Sequence, residues 1–210
     1  KSLLLKHTAS IDTEALNQKH ATLGQALNLV QQAGVEEDAI TQNKTLSAQG
    51  KDEKRKAFAE KILPQFLPLG RARAQYAADQ TARKRAMLAP LTKPPEGNEI
   101  VIHLRDAELR SQLQRLTPSE KSAAFFRALA SDDLDTTRAM LTAPGPKWID
   151  ADIQARGEQE FAKRTNPVVF ERYQSVEYLR ECLQAVADMI RLWLVGIGAN
   201  EATVVKTLSL

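Results

Sequence analysis

The stretch that decides the fold runs from Asn166 to Val195 and reads NPVVFERYQSVEYLRECLQAVADMIRLWLV. Asn166 suits the N-cap of a helix, and Pro167 suits the first turn, where the N–H that proline lacks would be unpaired anyway. Apolar residues then recur at helical spacing along one face. They are Val169, Tyr173, Val176, Leu179, Leu183, Val186, Ile190 and Trp193. Because Gly196 and Gly198 are typical of a helix end, the pattern predicts one long amphipathic helix.

The length of this helix bears on its role. A helix of about 29 residues, rising ~1.5 Å per residue, is roughly 43 Å long and exceeds what one small domain needs. We therefore expect either the spine of a helical bundle or an arm that reaches a partner. Gln184, Asp188 and Arg191 interrupt its most apolar part. No run of about 20 lipid-compatible residues remains, so we expect no membrane span.

The composition of the chain favours helix nearly throughout. Its 210 residues are 43% hydrophobic and only 5% aromatic, and good helix formers such as Ala, Leu, Gln and Glu dominate. We predict an all-α fold, with an elongated helical arm or hairpin region and a C-terminal helical bundle organised on the long helix. The predicted domains are a basic helical region over 1–90 with an extended arm at 1–9, a proline-rich linker over 91–98, and the bundle over 99–210.

The N-terminal region carries a second regular apolar stripe. Its members are Leu16, His20, Leu23, Leu27 and Val30. Their alternating spacing predicts a helix over residues 12–33 that packs against another helix at a shallow angle. Gly34 is expected to end this helix. The pattern leaves open whether the second helix belongs to this chain or to a second copy of it.

Basic residues are concentrated between positions 51 and 90. This segment holds ten Lys and Arg against four Asp and Glu, a net +6, whereas residues 1–50 sum to −1 and residues 91–210 to −2. Pro64 and Pro68 predict a kink or break, because each proline removes a helical hydrogen bond and clashes with the preceding turn. An alanine-rich helix is then expected to resume over residues 71–89.

Capping residues predict several short helices in the C-terminal region. The run Thr117-Pro118-Ser119-Glu120 is a capping box with proline in the first turn, which indicates a helix start. Ser131 or Asp132 is expected to cap the next helix, and Asp150 to Arg164 predicts a further one. Ile100 to Leu104 alternates in a way that suits either a short strand or the entry to a helix.

A search for catalytic chemistry finds none of the common motifs. The sequence contains no glycine-rich phosphate loop, no His-Glu-x-x-His and no Gly-x-Ser-x-Gly, which are the patterns that carry known phosphate, metal and nucleophile chemistry. His7, His20 and His103 lack the Cys or carboxylate spacing of a metal site. Cys182 is the single cysteine, and it is expected to be a small buried hydrophobe within the long helix. We therefore expect no enzyme, no cofactor and no metal.

The first functional hypothesis is a structural or adaptor protein that packs against other protein subunits as a homo- or hetero-oligomer. The two apolar stripes supply its candidate interface residues. These are Leu16, Leu23, Leu27, Val30, Val176, Leu183, Ile190 and Trp193. The alternative is that the two stripes bury each other within one chain.

The second hypothesis is contact with nucleic acid through the 51–90 segment. Clustered Lys and Arg displace counterions from phosphates whatever the base sequence. The candidate contact residues are Lys54, Arg55, Lys56, Arg71, Arg73, Arg83, Lys84 and Arg85. The segment offers only Tyr76 for base stacking outside its apolar stripe, so non-specific binding is the form expected.

Three runs lie between Asp106 and Pro144. They are Ala107-Glu108-Leu109-Arg110, Leu116-Thr117-Pro118-Ser119-Glu120 and Ala139-Met140-Leu141-Thr142-Ala143-Pro144. Together they resemble small helical accessory, or virion-associated, proteins of tailed bacteriophages. The resemblance implies a place in or near a virion and transfers no functional residues. It favours a component of a multi-copy particle. With no signal-peptide pattern near the first residue, the expected location is cytoplasmic or virion-associated.

Overall fold

The computed structural model describes residues 21–92, 99–143 and 149–209. These residues lie in helices and their connecting turns, with no strand among them, so the predicted all-α class is confirmed. The helices are α1 (Ala21–Gln42), α2 (Ala48–Ile62), α3 (Leu67–Thr92), α4 (Glu99–Gln114), α5 (Pro118–Ala130), α6 (Leu134–Leu141), α7 (Ala151–Thr165), α8 (Pro167–Gly196) and α9 (Glu201–Leu208). A short 3-10 helix, Leu63–Phe66, lies between α2 and α3.

The described residues divide into two compact units. Unit 1 contains residues 21–80 and 176–209, and unit 2 contains the described residues between 81 and 175. This division falls inside α3 and inside α8. It differs from the predicted domains 1–90 and 99–210, because the second part of α8 and all of α9 belong with the N-terminal helices. A linear pattern shows that a helix has a buried face but does not show which helix covers it.

The core of unit 1 joins the two apolar stripes. Leu23 and Val30 of α1 lie in one cluster of buried apolar residues with Leu183 and Ile190 of α8, and all four are at 0% exposure. The other helical segments of the unit add further buried side chains. These include Ala59, Phe66, Leu69, Leu194 and Val204. The alternative that the two stripes bury each other therefore describes unit 1.

A buried hydrogen bond ties α1 to α8 within this core. The indole Nε1 of Trp193 donates to Oε2 of Glu37 at 3.0 Å, and both residues are only 8% exposed. Each group would cost about 1–3 kcal/mol if it were buried without a partner. Glu37 holds this position only if α1 continues past Gly34, and α1 extends to Gln42. The predicted helix end at Gly34 is therefore wrong, since packing outweighs the low helix propensity of glycine.

Several local signals in the sequence are confirmed. The Asn166 Oδ1 accepts from the backbone N–H of Val169 at 3.3 Å, as an N-cap should. In the predicted capping box, Thr117 Oγ1 accepts from the Glu120 N–H at 3.3 Å while Glu120 Oε2 accepts from the Thr117 N–H at 2.8 Å. The break expected at Pro64 is the 3-10 helix, which carries proline in its first positions.

Other helix boundaries differ from the prediction. The stretch Ile100–Leu104, left open between strand and helix, lies in α4. The N-cap of α6 is Asp133, and neither Ser131 nor Asp132 caps it. Asp132 has a φ of 56°, a left-handed conformation that ends the preceding helix and delays the next start by one residue. Helix α9, which begins after an Asn200 N-cap, was not predicted.

Unit 2 has its own core, in which α6 packs against α4, α5 and α7. Leu113, Phe125, Leu129, Met140 and Ile149 form its main buried cluster. A smaller cluster joins Met87, Ala162, Phe170 and Tyr173. Gly157 of α7 lies so close to the Phe125 ring that an added Cβ would be 2.2 Å from the ring Cζ. Glycine is therefore the residue that lets α7 approach α5.

We predict that Leu183→Asp unfolds unit 1. The substitution buries an unpaired carboxylate where a leucine is at 0% exposure. A loss of at least about 3 kcal/mol is expected, because truncating a buried leucine alone costs ~2–5 kcal/mol. Denaturant unfolding followed by circular dichroism measures the change. Ala185→Asp, at an exposed position on the same helix, is the matched control and should leave stability within about 0.5 kcal/mol. Equal stability of the two variants would contradict the observed core.

We also predict that Gly70→Ala loosens the docking of α9. A Cβ at Gly70 would lie 2.3 Å from the carbonyl oxygen of Thr207, a backbone atom that moves only if α9 moves. A loss of about 1–3 kcal/mol is expected from this overpacking, with faster amide exchange in α9. Gly196→Ala is the control, since nothing lies within 4 Å of its added Cβ. Unchanged α9 protection in Gly70→Ala would show that the close approach does not exist.

Candidate interaction surface

The predicted interface residues are internal to unit 1. Leu23, Leu27, Val30, Leu183 and Ile190 are all at 0% exposure. Val176 and Trp193 are also buried, and Leu16 lies outside the described residues. These side chains already have partners within the chain, so a second subunit would reach them only by opening the core. The candidate interface residues that the structure describes are therefore buried, and they lie in a core formed by side chains of the same chain.

A different apolar surface is exposed on α4. Ile100, Val101 and Leu104 are 69%, 58% and 66% exposed. Successive residues of a helix turn by about 100° around its axis, so these three side chains lie on one side of α4. Asp106 and Leu113, which are buried in unit 2, lie on the opposite side. We call Ile100, Val101 and Leu104 the outer face of α4.

Polar contacts anchor the inner side of α4 to α6. Arg138 of α6 donates to Asp106 Oδ1 at 2.8 Å, and both residues are buried. Arg105 Nη1 lies 2.9 Å from Asp135 Oδ2, and Arg110 Nε donates to the carbonyl of Ala139 at 3.3 Å. A buried ion pair adds little net stability but strongly penalises arrangements that separate its partners. The contacts therefore fix which side of α4 is presented outward.

Two helix starts in unit 2 carry carboxylates with lowered pKa. The backbone N–H of Thr136 is the main cause that lowers the pKa of Asp133, with the charge of Arg105 a smaller one. The backbone N–H of Thr117 likewise lowers the pKa of Glu120, and the Thr117 hydroxyl adds to it. Both are capping interactions, in which hydrogen bonds favour the charged carboxylate. They define helix ends of unit 2 and have no separate chemistry.

The eight predicted nucleic-acid contacts are divided between the two units, since Arg83, Lys84 and Arg85 belong to unit 2 and the other five to unit 1. Lys54, Lys56, Arg71, Lys84 and Arg85 are exposed, whereas Arg55, Arg73 and Arg83 are half-buried.

Two of the half-buried arginines are engaged within unit 1. Arg55 donates to the Thr41 hydroxyl at 2.8 Å, and Arg73 donates to the Leu208 carbonyl and the Gln184 side chain. Among its described residues, unit 1 also has as many acidic as basic side chains. The part of the 51–90 segment that lies in unit 1 has an excess of three positive charges, which acidic residues elsewhere in that unit offset, whereas Arg83, Lys84 and Arg85 lie in unit 2.

Two further expectations concern the long helix and the cysteine. Across residues 21–92, 99–143 and 149–209, no helix combines the length and apolar character that crossing a membrane requires.

Cys182 is half-buried and packs against the unit 1 core. Its hydrogen bond to Tyr178 raises the pKa of that exposed tyrosine. Within the same described ranges, no group of three or more His, Cys, Asp or Glu side chains is placed to hold a metal ion.

Comparison with known proteins adds no relative. No family model, curated protein or solved structure matches the chain. The fold is therefore that of an all-α protein in which helix α4 has an exposed apolar face. The sequence did not predict the outer face of α4, because the pattern of its residues suits either a strand or a helix and does not indicate which side is exposed. The signal was present, since Ile100, Val101, Ile102 and Leu104 place apolar residues around more than one side of a helix.

Proposed function

We propose that the protein is a non-enzymatic structural subunit of a larger assembly, and that it packs against other protein subunits through the outer face of α4. The exposure of Ile100, Val101 and Leu104 carries this proposal. Apolar side chains that are grouped on an exposed helix face mark protein interaction sites more often than ordinary surface. A helix with such a face binds a partner by laying these side chains into its apolar surface.

The outer face of α4 is small, and a small apolar face is best suited to a contact that occurs many times in one assembly. Covering three large aliphatic side chains yields at most ~5–9 kcal/mol, and association itself costs several kcal/mol or more in lost translational and rotational freedom. One such contact gives weak pairing. In a multi-copy assembly many weak contacts act together, because each one raises the effective concentration of the next. We therefore propose another copy of this chain as the occupant.

A place in a bacteriophage virion is part of the same proposal. It is supported by the sequence resemblance between Asp106 and Pro144, a range that covers most of α4 and all of α5 and α6. A virion shell or tail is a multi-copy particle of the kind that repeated weak contacts suit. The assembly proposal does not depend on this narrower step.

We predict that Leu104→Lys weakens self-association without changing the fold. Light scattering measures the mass of the purified protein as a function of concentration and should show that the chain associates. The variant should lower the association constant by about tenfold or more, because this is the change that the burial free energy of one leucine side chain corresponds to. Thermal melting should be unchanged, because Leu104 is 66% exposed.

Two matched variants make this test specific. Ser111→Lys adds the same charge on the same side of α4, two turns further along and outside the apolar group, and should leave both association and melting unchanged. Leu113→Lys, on the buried side, should lower the melting temperature instead. A chain that stays monomeric at millimolar concentration, or an association constant that Leu104→Lys leaves unaltered, would refute the proposed contact.

We propose non-specific nucleic-acid contact by α3 as the second candidate function. Lys84 and Arg85 are exposed on the part of this helix that belongs to unit 2, and Asp79 is the one acidic residue of α3. Ala82 and Ala86 next to them are also exposed, and their small side chains leave room for a phosphate backbone to come close to the helix.

We predict that, if α3 contacts duplex DNA, affinity falls steeply as salt rises. Replacing Lys84 and Arg85 together by Ala should then reduce the salt slope by up to about 1.8, since each lost phosphate contact removes about 0.9. Lys206→Ala, an exposed lysine on α9, serves as the control. Fluorescence anisotropy at several salt concentrations measures the slopes. Absence of binding at 50 mM salt, or equal slopes for all three proteins, would rule out this role.

A further inference from the structure

A small cleft in unit 1 is lined by residues of three helices, two of which supply charged side chains. It has a volume of about 190 Å³ and lies between Arg73 of α3, Asp188 and Arg191 of α8, and Leu208 and Ser209 at the end of α9. Ala187 and Val205 supply further apolar surface. Sites for drug-sized ligands have ~300–1,000 Å³. The cleft is therefore the size of one small functional group with a short apolar stem.

Arg73 brings a half-buried positive charge to this cleft, and its hydrogen bonds go to neutral oxygens. Its guanidinium donates to two neutral oxygens, the Leu208 carbonyl and the Gln184 side-chain oxygen. Among the residues that the structure describes, no Asp or Glu oxygen lies within 4.0 Å of its nitrogens. Neutral acceptors orient a guanidinium but do not neutralise it, so a partly desolvated charge of this kind attracts an anion.

Arg191 supplies a second guanidinium that is only weakly engaged. Its Nη1 lies 3.3 Å from Glu201 Oε1, and the Glu201 side chain is 62% exposed. An exposed pair at this distance contributes little and exchanges readily for another anion. The carboxylate of Asp188 is held by Gln184, whose Nε2 donates to Oδ2 at 2.9 Å. Gln184 thus links Arg73 to Asp188 and fixes the polar wall of the cleft.

From this arrangement we infer that the cleft binds a carboxylate on a short aliphatic stem, with the carboxylate between Arg73 and Arg191. The planar fork of arginine matches a carboxylate in two-point hydrogen bonding. Asp188 in the same wall repels a doubly charged phosphate more than a singly charged carboxylate. Ala187, Val205 and Leu208 give the stem an apolar surface. An acidic side chain of another protein and a small organic acid both present this group.

Butyrate is the probe, compared with phosphate and chloride at equal ionic strength. Butyrate should give saturable shifts of the Arg73 and Arg191 Nε–Hε signals and of the Ser209 amide in NMR titrations, whereas chloride should not. Arg191→Gln should weaken butyrate binding about tenfold or more, and Arg71→Gln, an exposed arginine on α3 outside the cleft, should not change it. Non-saturable shifts, or equal affinity in all three proteins, would overturn the inference.

Asp188→Asn tests the charge argument separately, because asparagine keeps an oxygen to accept from Gln184. Phosphate affinity should rise about fivefold in this variant and butyrate affinity should rise less. Tighter binding of phosphate than butyrate by the unmodified chain would instead make the cleft a phosphate site and overturn the carboxylate assignment. The cleft lies in unit 1 and the outer face of α4 in unit 2, so either proposal fails or holds without the other.

Discussion

The packing of α1 against α8 is the constraint on which unit 1 depends. Leu23 and Val30 belong to the same buried cluster as Leu183 and Ile190, and none of the four is exposed. The Trp193 to Glu37 hydrogen bond joins the same two helices directly. The partners in that bond are 156 residues apart in sequence. Apolar burial drives the contact, while the polar pair restricts its register, because any slip would leave a buried indole N–H and a buried carboxylate unpaired.

This contact also determines where function is to be sought. A side chain at 0% exposure has no apolar surface left to contact another protein. The residues with the most regular helical spacing, which were the predicted interface, are therefore the ones that a partner can reach least. Regular helical spacing reports that a face is buried, and it is equally consistent with burial by the same chain or by another. The residues that remain exposed and apolar, such as Val101 and Leu104, carry no long periodic pattern.

The parts of the fold that could be predicted are those decided by neighbours in sequence. The capping box at Thr117, the N-cap at Asn166 and the break at Pro64 each depend on atoms within about four residues, so the sequence contains the whole interaction. The continuation of α1 past Gly34 and the division into two units depend on distant contacts, which outweigh local propensity. The shift from Asp132 to Asp133 as the cap of α6 depends on one left-handed residue that the sequence did not single out.

The candidate sites also depend on contacts between residues that are distant in sequence. Charge counts predicted a basic segment over 51–90, but counts along the chain do not show that Arg73 turns inward to the end of α9. They also do not show that the segment is divided between the two units, or that acidic residues elsewhere in unit 1 offset the part that lies there. The inward turn of Arg73 has two effects. It removes one charge from any nucleic-acid surface, and it places that charge in a half-buried setting where water screens it less than at the exposed surface. The same arginine is therefore a poorer contact for a long phosphate backbone and a better one for a single small anion.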